Sequence, residues 1–294
     1  MLRIAYCGYD YYANCLALLL ARDDVQVLKI YTCGEGESRR FSSEIVRMAK
    51  EHKIPYQFKP IDQKEVERLF DKQSCDYVLS AGYSYKIPIG NHRGLNIHPT
   101  LLPIGRGAWP FPKIILDGYK ESGVTLHKLT DKFDAGDIVL QRAFRLDEQE
   151  TQDTLHCKNQ MLGPRIIEEW LKNPEELWDA ARPQGEGEYW KKQGIKERTL
   201  DFSKKKDEIT ALIRAYGSSG VYLSANGKLW GSSCISFQEE KHSCFPGEVV
   251  YENNSLLVVA IEEGFLYITG KQIHKRSLVA KVFSKLICVF RSTF

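Results

Sequence analysis

The chain has 294 residues, 43% of them hydrophobic and 27% charged, the make-up of a globular protein long enough for one large domain or two ordinary ones. Its 41 basic and 38 acidic residues leave a formal net charge of +3, so no global field draws it toward nucleic acid or an acidic surface. The eight cysteines, at 7, 15, 33, 75, 157, 234, 244 and 288, form no Cys-x-x-Cys pair, and several lie in apolar runs; they read as reduced thiols of a cytoplasmic protein rather than as a disulfide framework or a zinc site.

In chain order, the N-terminal MLRIAYCG reads as a first buried strand and not as a secretion signal, since no small-residue cleavage site follows it. No run of about 18 uncharged apolar residues exists, so no membrane span is expected. LRIAYC, VQVLKIYT, CDYVLSAG, GLNIHP, GVTLHKLT and DIVLQRAF are strand-like, while NCLALLLARD, SSEIVRMAKEH and EVERLFDK have helical periodicity. This alternation predicts βαβ units in a Rossmann-like, doubly wound, mostly parallel α/β sheet over residues 1–182, closed by a helical stretch from Asp153 to Leu171. The Gly-rich segment 183–200 reads as an exposed connector or hairpin. Residues 201–275 hold a helix ending at Gly217 and then short strands with Asn-Gly and Asn-Asn turns, the pattern of a small β-rich, OB-like barrel. The last segment, 276–294, places Leu278, Val282, Phe283, Leu286, Ile287 and Phe290 on one helical face. Such a helix docks on the protein itself or on a second copy in a homodimer, or lies as a basic amphipathic helix on a membrane surface.

The polar residues that interrupt this pattern carry the chemistry. Asn96 and His98, two apart on a strand, point to one face while Leu95 and Ile97 point to the other, and Pro99 ends the strand. That is the carboxyl end of a strand, where α/β sheets bind their ligands; taken alone, the pair is equally a structural strand cap. Asp134, before Ala135 and Gly136, is a carboxylate on a tight turn at a strand entrance, in itself an ordinary turn residue. His127, on the GVTLHKL strand, faces the same cleft or serves the structure. Arg106 stands between two glycines, Gly105 and Gly107, which let backbone approach a ligand closely.

Asn96-x-His98, then Leu101-Leu102-Pro103, Arg106-Gly107-Ala108, Gly123-Val124-Thr125 and Asp134-Ala135-Gly136-Asp137-Ile138, in this order, resemble the N10-formyltetrahydrofolate-dependent formyltransferases. That family includes methionyl-tRNA, glycinamide ribonucleotide and sugar-nucleotide formyltransferases. The resemblance implies an N-formyltransferase with Asn96, His98 and Asp134 as catalytic residues: an amide to donate to a developing oxyanion, an imidazole to take the amine proton, and a carboxylate to orient it. It also implies a folate site, for which Tyr83, Ser84, Tyr85, Ile87, Leu102 and Phe133 are the expected contacts. No metal is required by this chemistry.

For the amine acceptor, Arg106, Gly107 and Trp109, with Tyr9, Asp10 and Tyr11 of the first loop, are the expected contacts. The first-loop residues are equally placed to cap the first helix. The resemblance to methionyl-tRNA enzymes implies a basic insertion after the second strand, whereas YTCGEGESRRFSSE is short and mixed in charge. With a C-terminal module present and GRGAWPFP as the wording of the arginine loop, the chain is most similar to the sugar-nucleotide branch of the pseudaminic-acid type. The expected acceptor is therefore a small amino-sugar nucleotide, probed against methionyl-tRNA as the alternative. Hydrolysis of formyltetrahydrofolate and non-catalytic binding of folate or nucleotide sugar are weaker readings. Many family members place Tyr where this chain has Gly105.

Overall fold

The computed structural model describes residues 1–33 and 42–273. Most of the loop carrying Arg39 and Arg40, and the helix expected over 276–294, lie outside the described residues. Seven strands form one sheet: β1 (Leu2–Gly8), β2 (Val25–Tyr31), β3 (Tyr56–Gln57), β4 (Tyr77–Ala81), β5 (Gly94–His98), β6 (Glu121–Lys128) and β7 (Ile138–Arg145). The helices are α1 (Ala13–Leu20), α2 (Ser43–Glu51), α3 (Gln63–Glu67), α4 (Phe111–Leu116), α5 (Gln152–Trp170), α6 (Pro174–Asp179) and α7 (Lys206–Tyr216).

The strand order is β3-β2-β1-β4-β5-β6-β7. β1 pairs in parallel with β2 and β4, β2 with β3, and β4 with β5, as the alternating pattern predicts. Then the direction changes: β6 runs antiparallel to β5, and β7 to β6. The β6–β7 connection is a hairpin loop, too short for the helical crossover that a parallel pair needs. Tyr56–Gln57, a two-residue edge strand, has no pattern in the sequence to announce it.

Successive side chains of β1 enter different cores. Ile4 and Tyr6 pack with Leu16, Leu19, Leu79, Leu95, Ile97 and Trp170, whereas Ala5 and Cys7 pack with Tyr31, Leu69, Val78 and Ile89. This period of two is what covering a sheet on both faces demands. It also fixes where polar groups fall: Leu95 and Ile97 of β5 and Val124 and Leu126 of β6 take the first core. Asn96, His98, Thr125 and His127 are thereby directed to the other face.

The chain divides into two compact units that are not continuous in sequence. The first comprises Met1–Pro110, Tyr119–Leu146 and His156–Lys192; the second takes Phe111–Gly118, Asp147–Leu155 and residues from Gln193 onward. Within the second, α4 packs on α7, and Asp153 accepts the backbone N–H and the hydroxyl of Ser218 at 2.8 and 2.6 Å. Its strands form two antiparallel sheets, one of four strands and one of three. No helix of the described residues is long and apolar enough to cross a membrane.

Candidate active site

The site is assembled in the first unit by strand register. Ser80 of β4 stands beside Asn96 of β5, and Asn96 stands opposite His127 of β6. Three polar side chains from three neighbouring strands are thus brought together at the ends of β4, β5 and β6. Asp134 reaches the same place from the β6–β7 loop. One of its oxygens, Oδ1, lies 3.4 Å from Asn96 Nδ2, 3.5 Å from His98 Nδ1 and 3.6 Å from His127 Nε2. The other, Oδ2, accepts the Gly107 backbone N–H at 2.9 Å.

The hydrogen bonds define which atoms carry protons. His98 Nε2 lies 2.7 Å from the Gly105 carbonyl, which can only accept, so this nitrogen keeps its hydrogen in both charge states. Any further proton on His98 therefore sits at Nδ1, facing Asp134. The same reasoning puts a hydrogen on His127 Nδ1, 2.9 Å from the Lys128 carbonyl, and leaves Nε2 to accept from the Asn96 amide at 3.0 Å. Asn96 must then turn its NH₂ toward His127 and Asp134, because its carbonyl oxygen would meet a lone pair and a carboxylate there.

Burial by itself lowers the pKa of His98, but the charge of Asp134 beside Nδ1 and the Gly105 carbonyl outweigh it and hold the pKa above the ordinary histidine value. Burial pushes Asp134 the other way, yet the charge of His98 and its hydrogen bond at Nδ1 keep its carboxyl far below the usual carboxylate range. The proton of the pair thus rests on the imidazole.

Asp134 holds a left-handed backbone, with φ 53°. Gly107, with φ 111°, approaches so closely that a Cβ there would stand 2.3 Å from the Trp190 carbonyl oxygen. Only glycine brings this N–H to the carboxylate.

Beside these groups opens a shallow cleft lined by Ser80, Tyr83, Tyr85, Ile87, Phe133 and Asp134 among others. Four of the six residues expected to hold folate are in this lining: Tyr83, Tyr85, Ile87 and Phe133. Ser84 instead shares a 2.7 Å hydrogen bond with the Tyr9 hydroxyl, and Leu102 is buried, its N–H given to Thr125 Oγ1 at 3.1 Å. Of the residues expected at the acceptor, Asp10 accepts from the backbone N–H groups of Glu44 and Ile45 and from the Ser43 hydroxyl, capping α2. Tyr11 stands edge-on to His156 with ring centroids 4.3 Å apart, and Trp109 has a left-handed backbone at φ 64°. Arg106 donates to Gln184 Oε1 at 3.0 Å and to the carbonyls of Gly185 and Gly187 at 2.9 and 3.3 Å. Gln184 lies far along the chain in the Gly-rich connector, and nothing in the sequence singles it out. Among the described residues, no group of three or more His, Cys, Asp or Glu side chains is arranged to hold a metal ion.

A doubly wound sheet that gathers an amide, two imidazoles and one shared carboxylate at its strand ends defines an α/β enzyme of polar group transfer. The formyl transferase family profile matches residues 24–171, and that of the formyl transferase C-terminal domain matches residues 195–285. The methionyl-tRNA formyltransferase of Pseudothermotoga lettingae is 30% identical over 286 residues, covering 92% of this chain and 91% of that protein. Among solved structures, HypX from Aquifex aeolicus superposes with a TM-score of 0.68 at 20% identity, over 94% of this chain and 46% of that one. The N-formyltransferase from Helicobacter canadensis, solved with folinic acid and dTDP-3-aminofucose, gives a TM-score of 0.65 at 18% identity, over 92% of this chain and all 100% of its own. The chain belongs to the formyl transferase family and is an N-formyltransferase.

Proposed function

We propose that the protein moves a formyl group from N10-formyltetrahydrofolate to the amino group of an amino-sugar nucleotide, such as a 4-amino-4,6-dideoxy sugar on UDP or dTDP of the kind used for pseudaminic acid. The observation that carries the transfer step is the single Asp134 oxygen shared by Asn96, His98 and His127 at the edge of an aromatic cleft. The cleft suits the donor: Tyr83, Tyr85 and Phe133 offer flat faces to a heteroaromatic ring, Ile87 and Leu129 give apolar walls, and Phe133, 48% exposed, stands ready to be covered. When bound, the donor supplies an electrophilic formyl carbon.

Around it the chain's own residues divide the work. Asn96 lines the cleft, and of its two NH₂ hydrogens the one not given to His127 Nε2, held only by the long 3.4 Å contact with Asp134, turns to donate to the oxygen that gains charge. His127 holds that amide in place through Nε2. With His98 neutral, Asp134 receives the proton lost by the attacking amine and passes it to His98 Nδ1, where the raised pKa of the imidazole holds it. When the bond from the formyl carbon to the donor nitrogen breaks, the proton returns through Asp134 to the departing tetrahydrofolate nitrogen. His98 thereby serves as base through Asp134, since its other nitrogen is committed to Gly105.

The mixed charge of residues 34–41, with Glu35 and Glu37 against Arg39 and Arg40, favours a small acceptor over a polyanion that requires several phosphate contacts. Methionyl-tRNA is the second reading, favoured by the identity to the Pseudothermotoga enzyme along nearly the whole chain. One experiment separates them: incubation with N10-formyltetrahydrofolate and either a panel of amino-sugar nucleotides or charged initiator tRNA, with mass detection of the added formyl group. Formylated sugar nucleotide supports the first reading. Formylated methionyl-tRNA, with steep salt dependence, replaces it by the second; deformylation of the donor alone points to a hydrolase.

A further inference from the structure

Asp134 holds φ at 53°, in the left-handed region that glycine favours and that aspartate enters more readily than most other residues, so the contacts around it decide whether that conformation is kept. Gly107 fixes the carboxylate end, through its N–H. The backbone end is fixed by Gln184. Its Nε2 donates to the Asp134 carbonyl at 3.0 Å and also to the Gly136 carbonyl, so one side-chain amide bridges the turn on either side of Ala135. Its Oε1 accepts from Arg106 Nε at 3.0 Å, and Arg106 in turn binds the carbonyls of Gly185 and Gly187. Both hydrogens of the Gln184 amide and its oxygen are therefore used.

We propose that Gln184 is a positioning residue for formyl transfer: its amide clamps the Asp134 turn in the conformation that aims the carboxylate at Asn96, His98 and His127, while its oxygen ties that turn to Arg106. Removing the clamp leaves the two carbonyls without this donor and releases the backbone toward negative φ. The carboxylate then swings away from its three partners. A displacement of this kind lowers turnover without removing any group that touches the donor. The connector 183–200, which reads from sequence as a mere link, thus carries part of the catalytic geometry.

The effect on turnover rests on the formyl-transfer reading; the effect on protonation does not. The test accordingly has two readouts in Gln184→Ala and in the near-isosteric Gln184→Met, which keeps the fold if the smaller residue does not. Histidine side chains labelled with ¹³C and ¹⁵N are titrated by NMR without substrate, with His98 assigned through a His98→Gln variant. The groups that face His98 are Asp134 and, with ring centroids 6.3 Å away, His127. The expected result is that the His98 midpoint falls toward the ordinary histidine value in both Gln184 variants, and that kcat drops about tenfold to a hundredfold with KM for the donor unchanged. An unmoved His98 midpoint in a folded Gln184→Met protein overturns the proposal. If the unmodified protein formylates no amine offered, the functional reading fails and the titration still decides for Gln184.

Discussion

The Asp134 carboxylate and the His98 imidazole face each other at 3.5 Å, with the far nitrogen of the imidazole anchored 2.7 Å from the Gly105 carbonyl. His98 therefore exchanges its proton only on the side of Asp134. Replacement of His98 by Ala is expected to lower kcat by roughly a hundredfold or more. In the unmodified enzyme, kcat should rise with pH through a midpoint above about 6.5, because the imidazole must be neutral to receive the proton. Steady-state rates between pH 5 and 9 check this; a profile without that limb argues against His98 as the proton acceptor.

The same pair makes stability depend on pH. The folded pKa of His98 is raised, so its contribution is complete below the unfolded value and fades as pH climbs through the folded one. The folded pKa of Asp134 is depressed, so its contribution is complete above the unfolded carboxylate value and fades as pH falls. Both are complete between roughly pH 4 and 6.5. Urea midpoints of the unmodified protein and of His98→Gln should differ most in that window and converge as pH rises above it.

Asn96 donates to His127 and approaches Asp134 through one NH₂ group. Asn96→Ala should cost about a hundredfold to a thousandfold in kcat, the usual loss for one oxyanion donor, with little change in KM for the donor. His127→Phe removes only the acceptor that steadies the amide. A smaller fall in kcat is expected for it, and single-turnover rates of the two variants measured side by side distinguish donor from support.

Gly107→Ala places a methyl group against the Trp190 carbonyl in a backbone conformation with φ 111°. Destabilisation of about 1–3 kcal/mol is expected from the strained backbone alone. Loss of activity should exceed what the unfolded fraction explains, because the N–H given to Asp134 moves with it. Denaturant melts combined with activity per folded molecule test both parts.

At the cleft, Phe133→Ala removes an exposed ring and Tyr83→Ala a buried one. The first should weaken donor binding with little effect on folding. The second should weaken both, since Tyr83 also packs with Tyr9 and Tyr85 at centroid distances of 5.7 and 5.5 Å. Equilibrium binding of a folate analogue, paired with thermal melts, separates the two effects.

What the sequence discloses of this arrangement is local. The apolar runs of β1, β2, β4, β5, β6 and β7 announce themselves because each buries a face, and the two-residue spacing of Asn96 and His98 places both on the polar side of β5. The antiparallel course of β6 is not written in its own residues; it follows from what the preceding segment does in space. His127 becomes the partner of Asn96 through that course, by register across the sheet rather than by distance along the chain. Asp10 has the composition of a ligand contact, yet its carboxylate meets the free N–H groups at the start of α2, a demand set by a helix more than thirty positions later. Gln184 and Arg106 are linked across 78 positions of chain, beyond the reach of any periodicity.

The reversal between β5 and β6 also bears on how such an enzyme diverges. Asn96 and His127 are kept opposite each other by the backbone ladder, and the segment joining their strands, with Gly105, Arg106 and Trp109 in it, is not what spaces them. Changes in that segment outside Gly105, Arg106 and Gly107, which hold His98, the Gln184 clamp and Asp134, leave the pairing of Asn96 with His127 in place. A lineage built on this sheet can therefore vary the remainder of that loop while the strand ladder keeps the amide and its imidazole support in register.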